Sequence, residues 1–175
     1  MKIVVNDANI LIDFCKLDML DAFFQLQYDF HVVDDVWEEL NSQHQIQLQS
    51  YIQSQRLVVV ADTVEITDIL QIKEEKYQLS IPDCTALLYA KQQKSILLTS
   101  DKNLRTTASL HKIEVHGHLW VFDELVNTGL IAKTMAAEKL HKLTAEINPK
   151  LGLPKTEFEI RIKDWNKYRS NFIHP

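Results

Sequence analysis

The chain is expected to fold as an α/β protein with a mostly parallel sheet. Short β-branched clusters alternate with stretches of helical apolar spacing, and acidic residues stand at the junctions between them. Ile3 to Val5, Phe30 to Val33, Leu57 to Val60, Ile96 to Thr99 and Ile113 to Val115 read as strands. Strands separated by helices imply βαβ units, so the sheet is covered on both faces. Right-handed crossovers leave only a few doubly wound strand orders. In such sheets ligands bind beyond the carboxyl ends of the strands, near the point where strand order reverses.

Taken in order, MKIVVNDAN reads as the first strand and its exit. Ile10, Phe14, Leu17 and Leu20 recur at helical spacing and predict one helix. VWEEL follows the second strand as a further helix, and LVVV is the third strand. Ile66, Ile69, Leu70 and Ile72 predict a helix that continues through Lys73 to Leu79; Cys84, Leu87, Leu88 and Lys91 predict the next. HGHLWVFDELVNTGLI reads as a short strand, a helix and a break at Gly129. Lys133 to Ile147 is helical in pattern, and after Asn148-Pro149 and Gly152-Leu153-Pro154 the stretch EFEIRIKDWNKYR predicts a terminal helix, packed on the body or on a second subunit.

The 175 residues suit one domain, and 46 % hydrophobic residues suffice for a real core. The longest apolar runs, such as LVVVA, are far shorter than a membrane span of about 18 residues. The first residues lack the apolar stretch of a signal peptide, and Cys15 and Cys84 suggest no disulfide framework, so the expected compartment is the reducing cytoplasm. A net charge of −5 argues against nucleic-acid binding by bulk charge, though not against a site whose acids are neutralised by cations. With three glycines, no Gly-rich phosphate loop is available.

Asp7, Glu39, Asp83 and Asp101 are the candidate chemistry. Each has a structural alternative. Asp7 and Asp101 suit helix N-caps. Asp83 closes Ser80-Ile81-Pro82-Asp83, a capping-box pattern with proline in the first turn. Glu38 and Glu39 compete for one role: Asp35-Val36-Trp37-Glu38 has capping-box spacing, which occupies Glu38, whereas Glu39 borders the apolar face and is preferred. Together the four acids point further than any one of them. Two carboxylates about 4 Å apart repel by roughly 4 kcal/mol at an effective dielectric of 20. Gathered acids therefore protonate or surround a cation, and oxygen donors favour Mg²⁺ or Mn²⁺ over zinc. Lys91, Lys94, Lys102 and Arg105 lie near Asp83 and Asp101 in sequence and could hold backbone phosphates; a solvated helix face is the alternative. The pair in His116-Gly117-His118 reads as surface polarity rather than a metal site, Cys84 as a core residue, and Trp37, Trp120 and Trp165 as packing residues.

VVNDANILID, VWEEL, LSIPDCTALLYA and LLTSDKNLR, in this order and spacing, resemble the PIN-domain family across about residues 1–127, and HGHLWVFDELV resembles the last strand and helix of one subgroup. The chain is similar to VapC-like toxin ribonucleases and stand-alone bacterial PIN nucleases. The resemblance implies a doubly wound three-layer α/β/α sandwich over 1–127, followed by a helical C-terminal extension at 128–175. It implies Mg²⁺- or Mn²⁺-dependent hydrolysis of RNA phosphodiester bonds. The family's catalytic, metal-binding quartet falls on Asp7, Glu39, Asp83 and Asp101, with Asn9 and Ser100 at supporting polar positions. RNA is the implied substrate, and an antitoxin protein and a homodimer are partners by family analogy alone. Asn6, before the first acid, and Leu104, after the last, depart from the family pattern. Two rival readings are a receiver-like phosphoacceptor domain, which would recruit Asp62, and a PIN scaffold that binds without catalysing.

Overall fold

The computed structural model describes residues 1–61, 64–74 and 78–167. Five strands, β1 (Lys2–Asn6), β2 (Tyr28–Val33), β3 (Leu57–Val60), β4 (Ile96–Leu98) and β5 (Glu114–His116), form one sheet in the order β3-β2-β1-β4-β5. Every neighbouring pair is parallel, with Val4 opposite Phe30 on one side of β1 and opposite Ile96 on the other. The order runs outward from β1 in one direction through β3 and in the other from β4, so the reversal lies between β1 and β4. A receiver domain has the order 2-1-3-4-5. Here β3 is at the edge and never touches β1, which removes the receiver-like reading; Asp62, the acceptor it required, lies outside the described residues.

Helices cover both faces. They are α1 (Ala8–Lys16), α2 (Leu20–Phe23), α3 (Asp34–Glu38), α4 (Ser42–Gln53), α5 (Ile66–Lys73), α6 (Ile81–Gln93), α7 (Lys102–Leu110), α8 (His118–Asn127), α9 (Lys133–Lys142) and α10 (Lys155–Asn166), with a π-helical turn at Leu143–Ile147. This is a three-layer α/β/α sandwich followed by helices. The long helix expected from Ile10 to Leu20 is two helices, because Asp18 takes a left-handed φ of 56° and Met19 N–H closes the turn onto Phe14 O at 3.1 Å. The helix expected to reach Leu79 ends at Lys73, and residues 75–77 of that expectation lie outside the described residues; Leu79 is buried just ahead of α6. The Asp35 capping box does not form: the cap falls two residues earlier, at Val33, without a side-chain bond. Helix α4 has a Gln-rich sequence with Leu48 as its one fully buried residue, too faint a stripe to announce a helix.

The apolar side of α1 meets an aromatic cluster under the sheet. Phe14 lies 4.9 Å from Phe23 and 5.8 Å from Phe122, and Phe23 lies 4.6 Å from Phe30, ring centre to ring centre. Such pairs stabilise beyond simple area burial by about 0.5–1.5 kcal/mol each. The helices after Gly129 share this core. Ala136, Leu140 and Leu143 are fully buried, and Lys139 Nζ donates to Leu17 O at 2.7 Å. The terminal helix packs on the body: Arg161 grips Asp123 through Nε and Nη2 at 2.6–3.0 Å, and Trp165 is buried with its ring 6.5 Å from Phe122. No described helix is long and apolar enough to cross a membrane.

Candidate active site at the carboxyl edge of the sheet

The reversal point between β1 and β4 is built from two neighbouring strand exits. Asp7 follows β1 directly, and its backbone N–H donates to Leu98 O, the last residue of β4, at 3.0 Å. Beyond β4 the chain continues as Thr99-Ser100-Asp101 into α7, and Thr99 N–H donates to His116 O at 2.9 Å. Thr99 is fully buried and joins the two acids. Its hydroxyl donates to Asp7 Oδ2 at 2.7 Å and accepts from the Asp101 N–H at 3.0 Å.

Asp7 is a buried carboxylate with acidic neighbours. Burial pushes its pKa up from 3.8 to about 6; the Thr99 hydroxyl pulls it down, while the charges of Asp83 and, less strongly, Asp101 push it further up. The backbone N–H of Asn9 also favours the charged form, though it lacks the geometry of a full cap bond, and α1 has no side-chain cap. Glu39 stands at the solvent rim, just past α3. Partial burial raises its pKa, as do the charges of Asp7, Asp83 and Asp35. The four predicted acids are thus electrostatic neighbours at one edge. Glu38 is exposed on the preceding position of α3.

The structural alternatives foreseen for two of these acids are real. Asp83 Oδ2 accepts from the Ser80 N–H and hydroxyl at 3.1 and 2.7 Å, completing a capping box on α6. Asp101 Oδ1 accepts from the Leu104 N–H at 2.8 Å and caps α7. Each cap engages one oxygen, so capping and ligand binding do not compete for the same atom. Asp7 has no such cap, which leaves its burial without a structural explanation in the helix.

The remaining site residues divide. Lys102 opens α7 beside Asp101 and is exposed. Arg105 is half-buried and its Nη1 donates to Thr99 O at 2.9 Å, so it braces the strap from behind. Lys91 and Lys94 are at the other end of α6 from Asp83; eleven residues of helix separate Lys94 from that acid by ~16 Å. Lys91 Nζ lies 3.3 Å from His111 Nδ1, and Lys94 forms the left-handed cap of the helix. Proximity in sequence does not bring these two to the carboxylates. Asn9 is exposed on the first turn of α1, and the Ser100 hydroxyl lies 2.7 Å from His118 Nδ1.

Three participants escaped the sequence reading. Thr99 looked like the end of a strand, although a hydroxyl two residues before the last acid was visible in LLTSD. Asp35 accepts from the Thr85 hydroxyl at 2.6 Å, ties α3 to α6 and adds charge next to Glu39. His118, expected at the surface, is completely buried, whereas His116 is only half-buried and stacks on Trp120 with ring centres 4.5 Å apart. Nothing in HGHLW separates the two histidines; strand alternation and the start of α8 do.

A protein-family profile described as PIN domain matches residues 3–151. The chain belongs to the PIN-domain family. PIN domains are nucleases as a class and typically use divalent metal ions. A search of curated proteins gives no match. The donor set of this PIN domain suits such an ion: all its acids offer oxygen, and the raised pKa of Asp7 is what a cation would relieve. Among the described residues no three His, Cys, Asp or Glu side chains form a tight cage. A hard ion such as Mg²⁺ keeps several waters and is held by only one or two direct carboxylates.

Gly117 lets this edge close. A Cβ at that position would stand 3.0 Å from Ser100 Oγ, 3.1 Å from Arg105 Nη1 and 3.2 Å from Thr99 O. Gly117→Ala is therefore expected to push the Thr99–Ser100 strap outward. Any nuclease activity should fall about tenfold with a stability loss of about 1–3 kcal/mol. Parallel assays of cleavage and thermal unfolding check this, and an alanine variant with unchanged cleavage contradicts the packing described.

Proposed function

We propose that this PIN domain is a Mg²⁺- or Mn²⁺-dependent endoribonuclease in which Asp7, Glu39, Asp83 and Asp101 carry the ion or its water shell. The observation that supports it best is the burial of Asp7 at the β1/β4 reversal among other carboxylates. A buried acid with like-charged neighbours is unfavourable for folding and is kept where it serves binding or chemistry. A bound ion supplies an acidified water at neutral pH and offsets charge on the phosphate. The chain supplies the rest. Thr99 orients Asp7, the caps orient Asp83 and Asp101, and Glu39 closes the rim. Lys102, at the exposed start of α7, is placed to meet a flanking phosphate. Arg105 serves RNA only through the donors it does not spend on Thr99. Lys91 and Lys94 would reach RNA only along a path that continues around the far end of α6.

The finer reading is a toxin of a toxin–antitoxin pair acting on RNA in the cytoplasm, with an antitoxin and a second copy of the chain as partners. A neighbouring gene for a small DNA-binding protein supports it; its absence favours a housekeeping nuclease. The direct test incubates a mixed RNA pool with the protein in Mg²⁺, Mn²⁺ or chelator. Cleavage should require the ion. Glu39→Gln should lower the rate about tenfold or more, and Glu38→Gln should leave it within about twofold. Cleavage that persists in chelator rejects the proposal, and equal losses in both glutamine variants reject the assignment of Glu39.

A further inference from the structure

Behind the carboxylate edge lies a polar chain that the nuclease reading does not use. Asp13 is buried on the apolar face of α1, where a charged side chain is unfavourable unless partnered. Its Oδ2 accepts from Asn148 Nδ2 at 2.8 Å, and His118 Nε2 lies 3.0 Å away. The other ring nitrogen, Nδ1, lies 2.7 Å from Ser100 Oγ. The imidazole is completely buried and stacks over Phe14 at 6.2 Å with its plane tilted by 6°. Four elements meet here: α1, the β4–α7 strap, the start of α8, and the segment just after the π-helical turn.

The chemistry of the ring gives this chain a direction. A carboxylate oxygen 3.0 Å from Nε2 favours an N–H there, because two acceptors at that distance repel. The approach is poorly aligned for a straight hydrogen bond, so the contact is electrostatic at 3.0 Å. In neutral imidazole an Nε2–H leaves Nδ1 as an acceptor. The hydroxyl proton of Ser100 is then committed to Nδ1, and Ser100 offers only lone pairs to the open side of the strap, next to Asp101.

We propose that His118, held by Asp13, which Asn148 holds in turn, is a positioning residue that fixes the Ser100 hydroxyl as an acceptor in the strap between Thr99 and Asp101. The proposal rests on the nuclease reading for its consequence, but not for its geometry. Asn148 extends the chain to the segment after α9, so the C-terminal part of the protein supports the same strap. His118 acts through Ser100 and touches no proposed ligand of the ion itself.

The substituents at His118 separate the two ring nitrogens. An asparagine oxygen replaces Nδ1 and still accepts from Ser100; a glutamine amide replaces Nε2 and still donates to Asp13 but leaves Ser100 free. In full-length protein, His118→Gln should lower kcat for RNA cleavage about tenfold with KM within about twofold, and His118→Asn should retain most of it. In a Ser100→Ala background, His118→Gln should cause no further loss, because the route through Ser100 is already cut. If the two losses multiply, His118 acts on the fold and the proposal fails. Nitrogen-15 NMR of the wild-type protein provides a reading that needs neither activity nor variants. The His118 ring should carry a proton at Nε2 and accept a hydrogen bond at Nδ1. An Nδ1–H tautomer or an imidazolium overturns the proposal. Wild-type protein that shows the expected ring but cleaves no RNA in either cation overturns the nuclease reading and, with it, the catalytic consequence drawn here.

Discussion

Asp7→Asn is expected to lower RNA cleavage by more than about a hundredfold while making the protein more stable at neutral pH. The two effects share one cause. Asp7 is nearly fully buried, and burial with the Asp83 and Asp101 charges pushes its pKa from 3.8 to about 6. The folded state therefore holds the proton more tightly than the unfolded chain. Stability from this group is fully present below about pH 4 and is lost as pH rises through about 6. The shift corresponds to about 3 kcal/mol at most, or several degrees in unfolding temperature for a chain of this size. Asparagine removes the charge and can still accept from Thr99. At pH 7.5 it should unfold at a higher temperature than wild type, and at pH 3.5 the two should converge. Mg²⁺ should raise the unfolding temperature of wild type, more strongly above pH 6 where it no longer competes with the proton, and should do little for Asp7→Asn. Thermal unfolding across pH with and without Mg²⁺ checks all of this. A variant less stable than wild type at pH 7.5, or one that still cleaves, shows that Asp7 is a structural acid.

Thr99→Val is expected to have the next largest effect. Valine matches threonine in shape but has no hydroxyl. The change removes the donor to Asp7 Oδ2 and the acceptor of the Asp101 N–H in a fully buried position. Stability should fall by about 1–3 kcal/mol. The hydroxyl favours the charged form of Asp7, so its loss should push the Asp7 pKa higher still. Cleavage should drop about 10–100-fold, as when an outer partner of a metal ligand is removed, and the acidic limb of the pH–rate profile should move to higher pH. Thr99→Ser should restore most of the rate. A valine variant with wild-type rate and pH profile contradicts the role of Thr99 as the link between Asp7 and Asp101.

Much of the edge was legible because it depends on local chemistry. The β-branched runs that became β1 to β5 carried their own signal, and an acid directly after an apolar run marks a strand exit. The Ser80-Asp83 box was readable in four residues and formed as read. Helix α4 was not legible, because Leu48, Tyr51 and Ile52 make only a short apolar stripe in a Gln-rich sequence. The break at Asp18 was not, because a left-handed aspartate leaves no composition signature. Lys91 and Lys94 misled for a related reason: closeness along a helix is distance along its axis, and α6 carries them away from Asp83.

The sequence by itself determined the class of fold, the strand exits and the acids that stand on them. Those properties follow from side-chain type and spacing within a few residues. Only the tertiary structure decided that β1 and β4 are neighbours, which brings Asp7 beside Thr99 from 92 positions away. It alone decided that His118 and not His116 is buried, and that Asn148 reaches back across 135 positions to Asp13. The physical reason is the same in each case. Burial and the pairing of buried polar groups depend on which elements pack together, and contacts so far apart in sequence leave no local pattern to read.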